Sequence, residues 1–373
     1  MSQAPFAPVV PTEAREIGDG IFGVMGQMDH ENLFFCYDKP TGLKAIIGIH
    51  NTVLGPALGG TRFWNYADEA AALRDVIRLS RGMTFKAAIS GINLGGGKAV
   101  IIGDPQKLKS EALWRRYGRF VESLKGKYIT AEDVGTSTSD MEYVAMETSH
   151  VAGKPSWLGG GGDPSPVTAH GVYLGLKAGL KEVFGSDDAK GRRVAVEGAG
   201  NVGTYLVKRL RQEGAEVWVS DLHPERVEHA CLSYGARPTT TDALFDLDID
   251  VYSPCALGAT LNDRTIDHLH CSIIAGAANN QLEDEVRHGE MLREKGIVYC
   301  PDFLINAGGL INCYAEYLGN YHQQHALEMT EVIYSRTLEI LKIANSQGIT
   351  THEAALRAAA SRLEAVATLK SRL

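Results

Sequence analysis

Two lysines and a carboxylate stand out along the 373-residue chain. Lys86, in MTFKAA, and Lys98, in GINLGGGKAVII, lie twelve residues apart in sequence that is otherwise almost wholly apolar. A lone lysine in such surroundings is usually a surface residue that lays its stem over apolar neighbours and keeps its ammonium in water. The three glycines before Lys98 argue against that reading, because they remove three side chains and allow close backbone approach, and the flanking AIS and AVII leave little to face solvent. Downstream, YITAEDVGTSTSDM places Glu132 and Asp133 at the end of an apolar, strand-like run, a common position for chemistry. One ammonium can hold an anionic substrate. A second, short of water and facing another cation, releases its proton more readily and can act as a base.

The elements that must position these groups are legible in outline. Residues 42–52 (GLKAIIGIHNT) and 98–103 (KAVIIG) are apolar and β-branched enough to be strands. Between them residues 67–83 repeat apolar positions at helical spacing, with Ala71, Leu73, Val76, Ile77 and Leu79 as one stripe and Asp68 and Glu69 in the first turn. Residues 153–171 concentrate Gly, Pro and Ser and read as a hinge. Helical periodicity resumes over 167–183, short strand-like runs at DIDVYSP, CSIIAGAANN and GIVYCPD follow, and the end of the chain from residue 321 has helical period. Strands alternating with helices predict a parallel sheet.

A second chemical signature lies in RRVAVEGAGNVGTYLVKRL. Gly198, Gly200 and Gly203 form a GxGxxG pattern, which is weak alone among 41 glycines. Here it follows a predicted strand and opens a predicted helix, and Asp221 ends the next strand. Gly198 allows the tight turn, Gly200 lets backbone approach a pyrophosphate, and Gly203 lets helix pack on strand; Ala199, Asn201 and Val202 complete the phosphate-facing loop. Asp221 suits the ribose hydroxyls of NAD and opposes a 2′-phosphate. Arg226, five residues on, reads as a solvated helix residue.

Length and composition set the bounds. A chain of this size exceeds one comfortable core, so two domains are expected. The net charge of −8, with no basic stretch interleaved with aromatics, points away from nucleic acid. No run of apolar residues reaches membrane-spanning length, and the amino-terminal stretch lacks a basic region followed by an apolar one, which predicts a cytoplasmic protein. The six cysteines are scattered, with no CxxC pair and no zinc-like His spacing. Free thiols and no metal site are expected.

Taken in order, GPALGGTRFW (residues 55–64), MTFKAA, GINLGGGKAVIIGDP, TAEDVGT (130–136), GDPSPVTAHGV (162–172), GAGNVG, GAANNQL (276–282) and INAGGLIN (305–312) resemble the amino-acid dehydrogenases of the glutamate/leucine/phenylalanine/valine group, most closely the leucine type. The resemblance implies an α/β protein with an N-terminal substrate domain, a Rossmann-type doubly wound NAD-binding domain and a cleft between them. The substrate-binding, catalytic and oligomerisation domain would span residues 1–152, the NAD-binding domain 153–330, and a helical segment 331–373 would pack back at the junction. By the same resemblance Lys86 binds the substrate α-carboxylate, Lys98 is the catalytic lysine and Asp133 completes the proton transfers. Gly59, Gly60 and Met83 lie beside the substrate, Thr168 near the nicotinamide, and Asn280 near both. A homo-oligomer, octamer or dimer, is implied. Ala152 departs from the pattern, since many leucine-type members have Thr in the aligned segment.

The aligned side-chain pocket is Leu58, Ala131, Leu310 and Cys313. Leu58 stands where glutamate-specific members carry a lysine, so a glutamate side chain would lie unpaired at a cost of several kcal/mol. An aliphatic amino acid, leucine best, is the expected substrate. An aromatic amino acid is the alternative, because a methylene separates substrates by only about 1–3 kcal/mol. A non-catalytic NAD-binding regulator on the same fold is the alternative of another class; the presence of Lys86, Lys98 and Asp133 together argues against it.

Overall fold

In the computed structural model the described residues are 20–370; the amino-terminal stretch read for targeting signals (residues 1–19) and the last three residues of the C-terminal segment lie outside them. The described chain divides into two compact units. One takes in the residues up to Ala87 together with Asn93–Gly162, the other Ala88–Ile92 together with the chain from Asp163 onward.

The first unit is built on a mixed sheet. Its strands, β1 (Asn32–Asp38), β2 (Leu43–Asn51), β3 (Ala57–Trp64), β4 (Gly95–Ile102) and β5 (Tyr128–Glu132), lie in the order β1-β2-β4-β3-β5. β2 is antiparallel to β1 and β4, whereas β3 runs parallel to β4 and β5. Alternation along the strands divides the side chains between two cores. Leu43, Ala45, Ile47 and Ile49 of β2 pack with Ala99 and Ile101 of β4 and with Leu113, Trp114, Tyr117 and Val121, which recur at helical spacing in the helix Glu111–Ser123. The intervening Ile46 and Val100 pack on the other face with Ala72, Leu73, Val76 and Ile77 of the helix Glu69–Ile89. Covered on both faces, β2 and β4 need apolar residues at nearly every position, as the sequence has them.

The structure shifts two expectations here. The helix read over 67–83 runs on to Ile89, so Lys86 sits in its last turn, where a cation meets the negative end of the helix dipole. Its buried stripe is Ala72, Leu73, Val76, Ile77 and Ser80, with Ala71 and Leu79 only half-buried. The strand read from Lys98 begins instead at Gly95. A Cβ on Gly96 would lie 2.1 Å from the Thr84 hydroxyl, so the missing side chain is what allows the helix to rest on the strand. Two buried histidines fill the space beneath that helix: His50 bonds Thr84 and His30 bonds Ser80, each at 2.8 Å. Burial pushes their pKa values down to about 3 and about 4.

The second unit holds a parallel sheet of β6 (Arg193–Glu197), β7 (Glu216–Ser220), β8 (Arg237–Pro238), β9 (Val251–Pro254), β10 (Ile273–Ile274) and β11 (Val298–Tyr299), in the order β11-β10-β9-β6-β7-β8. The chain starts at the central β6, moves out to one edge and returns to build the other. This is the doubly wound arrangement. The helix Ser165–Phe184 starts inside the stretch read as a hinge, with a proline in its first turn that presets the helical φ. The helices Val332–Gln347 and Thr351–Lys370 belong to this unit. Ile333 reaches the helix Ser165–Phe184 at Gly171, and Arg362 donates to the carbonyls of Ala88, Gly91 and Ile92. No helix among the described residues is long and apolar enough to cross a membrane.

Candidate active site

In the first unit most of the strand-borne site residues share the sheet face that the helix Glu69–Ile89 covers, Gly59 having the opposite parity. Ala57 and Phe63 of β3 and Tyr128 of β5 belong to the opposite core, so alternation turns Leu58, Gly60 and Arg62 of β3, Lys98 of β4 and Ala131 of β5 toward the helix. Register pairs Gly60 with Ala131 and Thr61 with Glu132, which makes Arg62 and Asp133 the next pair along. A Cβ on Gly60 would stand 2.8 Å from the Cβ of Asp133. Glycine is therefore what admits Asp133 so close to β3.

The Lys98 ammonium lies 3.0 Å from Asp133 Oδ2, with the lysine side chain only 7% exposed and the aspartate 23%. Arg62 Nε donates to the same oxygen at 3.1 Å, and the Asp133 backbone N–H donates to the Thr136 hydroxyl. Burial pushes the Asp133 carboxyl up, but the Lys98 and Arg62 cations outweigh it and hold the carboxyl below the usual carboxylate range. Asp133 is thus kept ionised beside an ammonium, a pair across which a proton can pass. Met83 and Lys86 are half-buried near the end of the covering helix, and Leu58 and Ala131 are buried in the sheet. Gly59 accepts a hydrogen bond from the Tyr128 hydroxyl at 2.6 Å.

The second unit carries the remaining predicted residues. Gly198 has φ of 101°, and its N–H donates to Ser220 O at 2.7 Å, tying the turn after β6 to the end of β7. A Cβ on Gly203 would lie 1.9 Å from Gly198 O, whereas one on Gly200 would meet nothing within 4 Å. So Gly203 closes helix onto strand while the backbone at Gly200 stays approachable, with Asn201 exposed and Val202 half-buried in the first turn of the helix Asn201–Glu213. Asp221 follows β7; its Oδ2 accepts from Ala199 N–H at 2.7 Å. These features fit a dinucleotide: open backbone at a helix N-terminus, and a carboxylate at the end of the second strand. Arg226 is exposed, as expected, yet reaches 3.8 Å from Asp221.

In this unit Thr168 lies beside the helix that carries Leu310 and Cys313. The helix Gly308–Tyr317 carries Leu310 and Cys313 one turn apart, and a Cβ on its Gly309 would lie 3.0 Å from the Thr168 hydroxyl. Asn280 is exposed in the loop after β10 and holds φ of 51°, a left-handed conformation that asparagine tolerates better than most residues. The Ala152 departure is a fully buried position in the first unit.

Sequence reading missed Arg62, and behind it Asp75 and Tyr66. Arg62 NH1 donates to Asp75 Oδ2 at 2.9 Å and Tyr66 donates to the same oxygen at 2.7 Å. The available signal was parity: Arg62 stands an even number of residues from Leu58 and Gly60, and so shares their face.

Comparison with known proteins is consistent across the chain. Residues 30–150 match the sequence profile of the Glu/Leu/Phe/Val dehydrogenase dimerisation domain, and residues 222–370 that of Glutamate/Leucine/Phenylalanine/Valine dehydrogenase. The chain is 51% identical to a leucine dehydrogenase of Thermoactinomyces intermedius, over 94% of this chain and 95% of that protein. It is 47% identical to an L-tryptophan dehydrogenase of Nostoc punctiforme, over 92% and 96% respectively. The crystal structure of the L-tryptophan dehydrogenase from Nostoc punctiforme superposes with a TM-score of 0.83 at 45% identity, covering 93% of this chain and all of that one.

Proposed function

This chain belongs to the glutamate/leucine/phenylalanine/valine dehydrogenase family, and from that premise we propose that it catalyses the reversible, NAD-dependent oxidative deamination of a branched-chain or aliphatic L-amino acid, leucine above all, to its 2-oxo acid and ammonia. The observation that carries the reading is the pairing of buried Lys98 with half-buried Asp133 at 3.0 Å. NAD, when bound, supplies the hydride acceptor. Lys86 holds the α-carboxylate by charge, which orients the amino acid with Gly60 and Met83 alongside. Once the α-carbon is an iminium, Lys98, as the neutral amine, takes a proton from the water that adds to it. Asp133 then carries protons between the carbinolamine oxygen and nitrogen until the C–N bond breaks and ammonia leaves. One amino acid, one water and one NAD give one 2-oxo acid, one ammonium, one NADH and one proton.

Substrate binding and proton chemistry are assigned to residues 1–152 and NAD binding to residues 153–330, with Gly198, Gly200, Gly203 and Asp221 holding the dinucleotide and Thr168 and Asn280 toward the nicotinamide. For leucine the support is that Leu58, buried on the face that holds Lys98, offers a substrate side chain no cation, and that Ala131, Leu310 and Cys313 add none. Greater identity to the leucine than to the tryptophan enzyme points the same way. A homo-oligomer, dimer or octamer, fits the match to a dimerisation domain, and six free cysteines suit the cytoplasm.

The test is a comparison of kcat/KM for L-leucine, L-phenylalanine, L-tryptophan and L-glutamate with NAD. Leucine should exceed the aromatic substrates by about 10-fold or more, since shape differences of a few methylenes are worth 1–3 kcal/mol each. Glutamate should fall lower still. A preference for an aromatic substrate would move the assignment to the aromatic branch of the family.

A further inference from the structure

Arg62 and Lys98 bind the same oxygen of Asp133. Lys98 Nζ is 3.0 Å and Arg62 Nε 3.1 Å from Oδ2, whereas Oδ1 accepts no hydrogen bond from any of the described residues. Arg62 is itself fixed from behind: its NH1 bonds Asp75 Oδ2 on the covering helix, and Tyr66 and Arg78 bond Asp75 in turn. The result is a chain of alternating charge, Arg78, Asp75, Arg62, Asp133, Lys98, running from the exposed helix surface to the buried lysine. A guanidinium with two donors aimed at two carboxylates is far better suited to such a bridge than a lysine.

We propose that Arg62 is a positioning residue for the reaction: anchored by Asp75, it commits Oδ2 of Asp133 to the two cations and so leaves Oδ1 as the oxygen that carries the proton. The proposal rests on the reading that Asp133 works as the proton carrier. The groups facing Asp133 from the elements around it are Lys98 of β4, Arg62 of β3 and, through Arg62, Asp75 of the covering helix and Tyr66 of the loop between β3 and that helix; the neighbouring Glu132 engages Thr138. With Arg62 gone, Lys98 alone would counter the burial that raises the Asp133 carboxyl. The carboxyl would then take up a proton at higher pH than in the parent.

The experiment is the pH dependence of NADH formation from L-leucine, followed by stopped flow between about pH 3 and 10 so that the window reaches below the ordinary carboxylate range, for the parent, Arg62→Gln, Arg62→Met and Arg62→Lys. Arg62 Nε lies 3.1 Å from Asp133 Oδ2, and loss of an opposite charge at such range moves a carboxyl by about one pH unit or more. The two charge-free variants should lose roughly 10–100-fold in rate, and the acid limb of their profiles should lie about one pH unit above the parent's. Arg62→Lys should return the limb toward the parent position and recover part of the rate. A limb that does not move in the charge-free variants, or that moves equally in Arg62→Lys, overturns the proposal. So does failure of both charge-free variants to fold where Arg62→Lys folds, since the role would then be structural. If the parent itself forms no NADH from leucine, the parent reading falls instead, and the two failures are told apart.

Discussion

Lys98→Ala is expected to lose about 10³-fold or more of its deamination rate while binding NADH almost as the parent does. Loss of a positioned proton-transfer group typically removes 10²–10⁴ in rate, and Lys98 is the buried partner of Asp133. The substitution also leaves the carboxylate with Arg62 as its remaining close cation, so the proton route is broken at both members of the pair. NADH should still bind because the backbone and carboxylate that fit a dinucleotide lie on the second unit. A fluorescence titration with NADH and an initial-rate assay on one preparation separate the two effects. Near-parent turnover would remove Lys98 from the chemistry.

Gly59→Ala should destabilise the protein more than any conservative change elsewhere in the first sheet. A Cβ there would sit 1.7 Å from Gly97 O and 2.6 Å from Gly97 C. Both are backbone atoms of β4, so no rotamer change relieves the overlap and the parallel β3–β4 pair must part. Overpacking usually costs about 1–3 kcal/mol; with backbone on the receiving side roughly 3–5 kcal/mol is expected. The disturbance would fall next to Gly60, Lys98 and Asp133, so residual folded enzyme should be slow as well. Gly82→Ala is the contrasting control, because its Cβ meets nothing within 4 Å in the middle of a helix. It should stabilise by about 0.5–1 kcal/mol. Urea unfolding of both variants beside the parent checks the pair, and equal stabilities for Gly59→Ala and the parent would refute the packing argument.

How much of this was legible in the sequence depended on the range of the cause. The β6–glycine turn–helix–β7 unit and Asp221 were readable because their determinants are local: a turn needing positive φ, a helix start, and a carboxylate at a strand end. The break near Gly160 was readable for the same reason, although helix resumes at Ser165, earlier than a Gly- and Pro-rich run suggests. The glycines before Lys98 were harder. Glycine is poor in strands by propensity, so local sequence points to a strand only from Lys98; the residues that favour a bare strand at Gly96, Thr84 and Ser80, come from the covering helix. The covering helix runs past the end that its local sequence suggests for a similar reason. Gly82 lowers local helix propensity, and only contact of Thr84 with β4 and His50 shows why the helix continues through Lys86. Arg62 and Asp75 lie thirteen residues apart and meet only because β3 and the covering helix are stacked. Strand order, which brings β3, β4 and β5 side by side, had no local signature either, and that order is what puts Lys98 and Asp133 within one hydrogen bond.

The Lys98–Asp133 face is expected to deaminate a branched-chain amino acid with NAD as the hydride acceptor. The most direct measurement is product stoichiometry: the full-length protein with L-leucine and NAD at alkaline pH, assayed together for NADH, 4-methyl-2-oxopentanoate and ammonium. Equal amounts of all three are predicted, formed by the parent and reduced to near background in Lys98→Ala. NADH without ammonium, or ammonium without NADH, or equal yields from the parent and Lys98→Ala, would contradict it.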